Sequence, residues 1–134
     1  MAVLAVAVAA PATQAQDGPT LLINDCQHGK FKPRKIIITC ADANFRVKGI
    51  TWSSWTRQEA RGHGTAVVND CEPNCAEGTF HNYPIRLRAF RPQLEGGCVP
   101  GYVFTRLAWR FPGEKPEGVP RTARRRTVCP PSGP

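Results

Sequence analysis

His63, Asp70 and His81 are the groups of this 134-residue chain best suited to proton transfer. Imidazoles titrate near neutrality, so two of them with a carboxylate and nearby arginines suit general acid and base attack on a phosphodiester, in the manner of a small secreted ribonuclease. No other catalytic set is complete. Ser53, Ser54 and Ser132 lack a G-x-S-x-G or comparable setting that supplies a base and an oxyanion donor. Asp70, Glu72 and Glu77 offer carboxylates for glycoside hydrolysis, but they crowd into a turn too short to define a cleft. A hydrolase therefore stands as the alternative to a non-catalytic binding protein. A protease inhibitor presenting the Cys71 to Cys75 loop is a further reading.

The Cys71-x-x-x-Cys75 spacing, with His63, Asp70, Glu77 and His81 in the neighbourhood, raises the question of zinc. Zinc sites present a second ligand pair at comparable spacing, and here the remaining cysteines are scattered. Asn69, Asp70, Glu72, Asn74 and Glu77 are oxygen donors of the kind calcium takes, without the regular ligand spacing and glycine of a calcium loop. No metal or other cofactor is expected.

Binding chemistry is better represented. The chain carries 18 lysines and arginines against 10 acidic residues, a formal charge of +8, which is explained by a codon bias toward arginine or, more sharply, by a polyanionic partner such as nucleic acid, a teichoic or acidic polysaccharide or an anionic membrane face. In PIRLRAFR, the two-residue strand period sets Arg86, Arg88 and Phe90 opposite Ile85, Leu87 and Ala89. In YVFTRLAWRF it sets Tyr102, Phe104, Arg106 and Arg110 opposite Val103, Leu107, Trp109 and Phe111. Paired antiparallel, these strands gather Arg86, Arg88, Arg106 and Arg110 on one face, interleaved with Phe90, Tyr102 and Phe104. Trp52 and Trp55, three apart in an extended strand, are expected on opposite faces. One would be core; the other would offer a stacking surface for a sugar ring, helped by Tyr83 and by Asn69 or Asn82.

The elements that must position these groups are short and β-rich. RKIIITC (34–40) is a β-branched run, FRVKGITW (45–52) alternates, and HGTAVVN (63–69) follows the polar connector TRQEARG. DCEPNCAEG is turn chemistry. Thirteen prolines and 12 glycines exclude long helices, and a chain of this length holds one core. The fold class expected is all-β, a small antiparallel sandwich or barrel stapled by disulfides.

Cys26, Cys40, Cys71, Cys75, Cys98 and Cys129 form an even set, and six cysteines allow fifteen pairings. Chain order favours the neighbouring pairs Cys26 to Cys40, Cys71 to Cys75 and Cys98 to Cys129. Disulfides fit an extracellular protein, and MAVLAVAVAA followed by small residues at Thr13 and Ala15 has the pattern of a secretory h-region with a cleavage site before Gln16. Ten apolar residues are too few to span a bilayer. The organisation expected is a signal peptide over 1–15, one stapled β domain over 16–112, and a Pro/Arg-rich tail over 113–134 anchored by Cys129.

Three motifs extend this reading. Lys32, Pro33, Ile36, Cys40, Ala41, Asp42 and Asn44 match K-P-x-x-I-x-x-x-C-A-D-x-N. Trp52 to Trp55 match W-S-S-W, and Asn69 to Pro84 match N-D-C-x-P-x-C-A-x-G-x-F-x-x-Y-P. Over roughly Cys26 to Pro92 the chain thereby resembles a group of small exported actinomycete proteins of unknown function. The resemblance implies secretion and a small β fold and supplies no activity.

Overall fold

A computed structural model describes residues 2–9, 18–94 and 98–130. The cleavage positions Thr13, Ala15 and Gln16, and Ser132, lie outside the described residues. Among those described, no helix is long and apolar enough to cross a membrane.

The fold is all-β. β1 (Leu22–Ile23) and β2 (Gly29–Lys30) form a short hairpin. β3 (Ile36–Ile37), β4 (Phe45–Trp55), β5 (Glu59–Asn69), β6 (Phe80–Leu94), β7 (Tyr102–Arg110) and β8 (Thr122–Arg126) form one antiparallel meander in which every strand pairs with its sequence neighbour. The sheet curls until its two edges meet, and Arg125 of β8 donates hydrogen bonds to the carbonyl oxygens of Ile37, the last residue of β3, and of Ile38 after it. The architecture is thus a barrel-like curled sheet rather than two stacked sheets.

The inner face follows the strand period. Val47, Ala60, Ala66, Ile85, Leu87, Ala89 and Leu107 are buried, together with Phe104 and Phe111. Leu22 enters this core from the N-terminal segment. Leu21 pairs with Val103 along the part of β7 that β8 does not reach, and Leu21 N–H donates to the Tyr102 carbonyl at 3.0 Å. Burial of such side chains stabilises by about 1.5–3 kcal/mol each, which is the main favourable contribution in so short a chain.

Three disulfides staple the periphery in the pairing that chain order favours: Cys26–Cys40, Cys71–Cys75 and Cys98–Cys129. The described cysteines leave no free thiol. The last bridge packs with Ile23, Val99 and Val103 in a second small core.

Three expectations need correction. RKIIITC contributes only Ile36–Ile37 as strand, because Ile38 and Thr39 both turn their amides to the Phe45 carbonyl. The chain after Pro112 is not a tail: Thr122–Arg126 is the edge strand β8, in register with β7 from Arg110 to Arg106. The loop before it is closed by cations, with Arg121 donating to the Phe111 and Gly113 carbonyls and Lys115 to that of Val119. Trp52 and Trp55, finally, share a face. Two register shifts interrupt β4, one beside Gly49 in its left-handed conformation (φ 60°) and one that inserts Ser53 between the Trp52–Gly62 and Ser54–Arg61 pairs. An inserted residue reverses the alternation.

Candidate functional site

The outer face of the sheet is a lattice of cations. Register partners share a face, so three rows can be read across β5, β6, β7 and β8. The first is His63, Arg86, Arg110 and Thr122; the second is Arg61, Arg88, Ala108 and Arg124; the third is Glu59, Phe90, Arg106 and Arg126. Strands lie about 4.8 Å apart and same-face residues repeat about every 7 Å along a strand, so the guanidinium groups overlap in reach. Arg46 and Lys48 of β4 continue the face through their pairing with Val67 and Thr65. Among the described strand residues of this face, Glu59 is the one carboxylate.

The four arginines expected on one face are brought together: Arg86 lies opposite Arg110, and Arg88 and Arg106 occupy the next two rows. Arg86, Arg88 and Arg110 are exposed and Arg106 is half-buried. Glu59 engages one side of the cluster, its Oε1 accepting from Arg61 Nε at 2.5 Å and its Oε2 from Arg88 Nε and Nη2 at 3.0 and 2.8 Å. These bonds, Arg88 first, hold the Glu59 carboxyl below its ordinary range. Arg88 also lies over the Phe90 ring, 4.4 Å from its centre. Among the described residues, no carboxylate pairs with Arg86, Arg110, Arg124 or Arg126. Partial desolvation, followed by the positive fields of Arg126, Arg91 and Arg124, pushes the Arg106 guanidinium down. A cluster that lowers the basicity of its own members stores repulsion that a bound anion relieves.

Two adjoining troughs cross this face. One is lined by Ser53, Arg61, His63, Pro84, Arg86 and Pro112, among others. The other runs over Ala108 between Arg86, Arg88, Arg110 and Arg124.

The aromatic half of the expected face differs. Phe104 is fully buried and stacks edge-on with Trp55 at 5.5 Å, not among the arginines. The β6–β7 pairing lapses at the left-handed residue Arg91 (φ 54°), between the Phe90–Arg106 and Pro92–Phe104 pairs, and beyond that break Phe104 lies in the core. Tyr102 remains exposed at the end of β7 beside Leu94.

Trp52, Trp55 and Tyr83 all pack against the core on the opposite side of the sheet. The two indoles meet edge to face with centroids 4.8 Å apart, and their N–H groups donate to the carbonyls of Pro33 and Thr20. A Cβ on Gly62 would come within 2.8 Å of Trp52 Cε3, so the glycine admits the ring. Tyr83 stands edge-on to Phe111 at 6.1 Å. Asn69 is buried, and its amide ties Asn44, the Cys75 carbonyl and the Cys71 N–H together as the support of the Cys71–Cys75 loop.

The two histidines do not form an acid–base pair. His63 is on the outer face opposite Arg86, whereas His81 is opposite Val68, five positions further along β5 and on the other face. At about 3.4 Å per residue that is roughly 17 Å along the strand. His81 Nε2 instead contacts Asp70 Oδ2 at 2.9 Å. The Thr79 N–H, then His81 and the Glu72 N–H, lower the Asp70 carboxyl from 3.8 to about 2. Asp70 thereby organises the loop as an acceptor.

From sequence, Arg61 and Glu59 fall in a polar connector and Arg124 and Arg126 in a basic run of the tail, a run that could bind polyanions but has no place on the sheet face until β8 is seen. The alternation T-A-R-R-R against Pro-rich surroundings was the one signal for β8. Lys115, Arg121 and Arg125, from the same Pro/Arg-rich segment, are spent on backbone carbonyls. No protein-family model, curated protein or solved structure matches the chain.

Proposed function

We propose that this is a non-catalytic extracellular protein that binds an extended polyanion across the outer face of β5 to β8. The observation that carries the reading is the register itself: Arg61, Arg86, Arg88, Arg106, Arg110, Arg124 and Arg126 share one face, on which Glu59 is the single carboxylate among the described strand residues. Arginine forks match oxyanions in two-point contacts, and a field of one sign raises the local concentration of polyanions and their association rate. Export rests on the apolar segment 1–15, on three disulfides in a small domain and on the resemblance to small exported proteins. The ligand is an anionic polymer of the envelope or extracellular space. A glycan read by ring stacking finds less support, since Trp52, Trp55 and Tyr83 are committed to the core. A ribonuclease reading loses its paired histidines.

The test is retention on a heparin resin. The wild-type chain is expected to elute at high salt, and the double variant Arg86→Glu/Arg110→Glu at a clearly lower salt concentration. Equal elution of the two proteins would reject the assignment.

A further inference from the structure

We propose that Ala108 is the floor of a discrete seat for one tetrahedral oxyanion group, a phosphoryl or sulfate carried by the polymer. The proposal rests on the polyanion reading and deepens it from a diffuse charged surface to a located subsite.

In a row of arginines, Ala108 is the exception. Its nearest positions on the face are Arg88 and Arg124 across the strands, and Arg106 and Arg110 two residues away along β7. All four are arginine. Of the diagonal positions, Arg86 and Arg126 add two more, with Phe90 and Thr122 completing the ring. A methyl group at the centre leaves the trough open down to the sheet, with Arg61, Arg86, Arg88, Arg110 and Arg124 along its walls. Any longer side chain at this position would fill it.

The stoichiometry of donors selects the ligand. A carboxylate has two oxygens, and Glu59 shows how it is satisfied here, by one bond from Arg61 and two from Arg88. A phosphoryl or sulfate group has three terminal oxygens that point in different directions. It can therefore draw on guanidinium groups from several sides at once, as the ring around Ala108 offers. Arg110 and Arg124 have no carboxylate partner among the described residues, and Arg106 is turned to its own Thr105 carbonyl. The seat's cations are thus free to turn inward without breaking an ion pair, except for Arg61 and Arg88, which Glu59 holds.

Polymer binding and seat binding are separated by probe. Inorganic tripolyphosphate is too short to span the face, so isothermal titration of the oxidised full chain with tripolyphosphate reads the seat. Heparin retention reads the surface. Ala108→Leu keeps every charge and is expected to weaken tripolyphosphate by about tenfold or more, the equivalent of one lost charge-assisted hydrogen-bond set. Ala108→Gly leaves the trough open and is expected to bind within about twofold of wild type on the same scale. Ala108→Glu supplies the anion from within: it is expected to abolish tripolyphosphate binding and to raise the melting temperature. Gln27→Glu, the same charge change on an exposed turn, should do neither.

Sulfate and phosphate sources are compared by titrating trisulfated heparin disaccharide beside tripolyphosphate, and triglutamate serves as the carboxylate control. Sensitivity of both oxyanion probes to Ala108→Leu supports the shared chemistry, and sensitivity of one names the source. Unchanged tripolyphosphate affinity in Ala108→Leu, or triglutamate binding as tight as tripolyphosphate, overturns the seat while leaving the polymer reading intact. Loss of heparin sensitivity to Arg86→Glu/Arg110→Glu would remove the reading beneath it.

Discussion

The guanidinium of Arg125 lies 2.8 Å from the carbonyl oxygen of Ile37 and also donates to that of Ile38, joining the last strand of the sheet to the first. Arg125 is opposite Leu107 and so points inward, between the exposed Arg124 and Arg126. The triple arginine therefore divides its work. Two residues face outward to a ligand, and the middle one closes the seam by satisfying carbonyls that an edge strand would leave unpaired. Its burial lowers the guanidinium's basicity without discharging it.

Replacing Arg125 by Met should open this seam. Two carbonyls lose a charged donor, so a destabilisation of about 2–3 kcal/mol is expected. Arg124→Met, on the solvent side, should change stability by less than about 0.5 kcal/mol. Urea unfolding of the oxidised proteins compares the two, and equal midpoints would refute the closing role of Arg125.

The three disulfides should contribute unequally. The bridge between Cys98 and Cys129 closes 31 residues of separation and that between Cys71 and Cys75 only 4. On the chain-entropy account their removal as paired serine variants costs about 3.5 and about 2 kcal/mol respectively. The larger cost at Cys98–Cys129 is expected to appear as the lower melting temperature.

Acid sensitivity should map in part to Asp70. Its carboxyl is lowered to about 2 in the folded protein, so between 3.8 and about 2 the unfolded chain binds more protons than the native one. Its contribution to stability is complete above that window and is lost as pH falls through it. Asp70→Asn should remove this part of the pH dependence. A stability profile of the variant that still drops as steeply as the wild type's would assign the effect elsewhere.

The outer lattice was partly legible in the sequence. Alternation in PIRLRAFR and YVFTRLAWRF was enough to align Arg86, Arg88, Arg106 and Arg110, because side-chain period and antiparallel pairing alone decide that face. The tryptophans were misplaced because a register shift flips every side chain beyond it, and nothing local in W-S-S-W announces one. β8 was hidden by prolines on both sides, whose turn chemistry outweighs a five-residue alternation. The histidines looked like a pair because sequence carries no information on which face a residue reaches across a strand of unknown register.

Glu59 should act as an internal competitor for polyanions. It engages Arg61 and Arg88, so Glu59→Gln is expected to release both and to bind heparin more tightly, with a steeper dependence on salt. Because the Glu59 carboxyl sits below its ordinary range, wild-type affinity for a strong-acid polymer should rise only when pH falls through that lowered value, and the variant should lack the rise.

The central claim is that binding belongs to one face and not to net charge. Heparin affinity measured across a salt series tests it most directly, comparing wild type with Arg86→Glu/Arg110→Glu and with Lys30→Glu/Lys35→Glu, an equal charge change off that face. The account predicts a lower affinity and a shallower log-log salt slope for the arginine variant alone, by about one to two units of slope. Equal losses in both variants would contradict it.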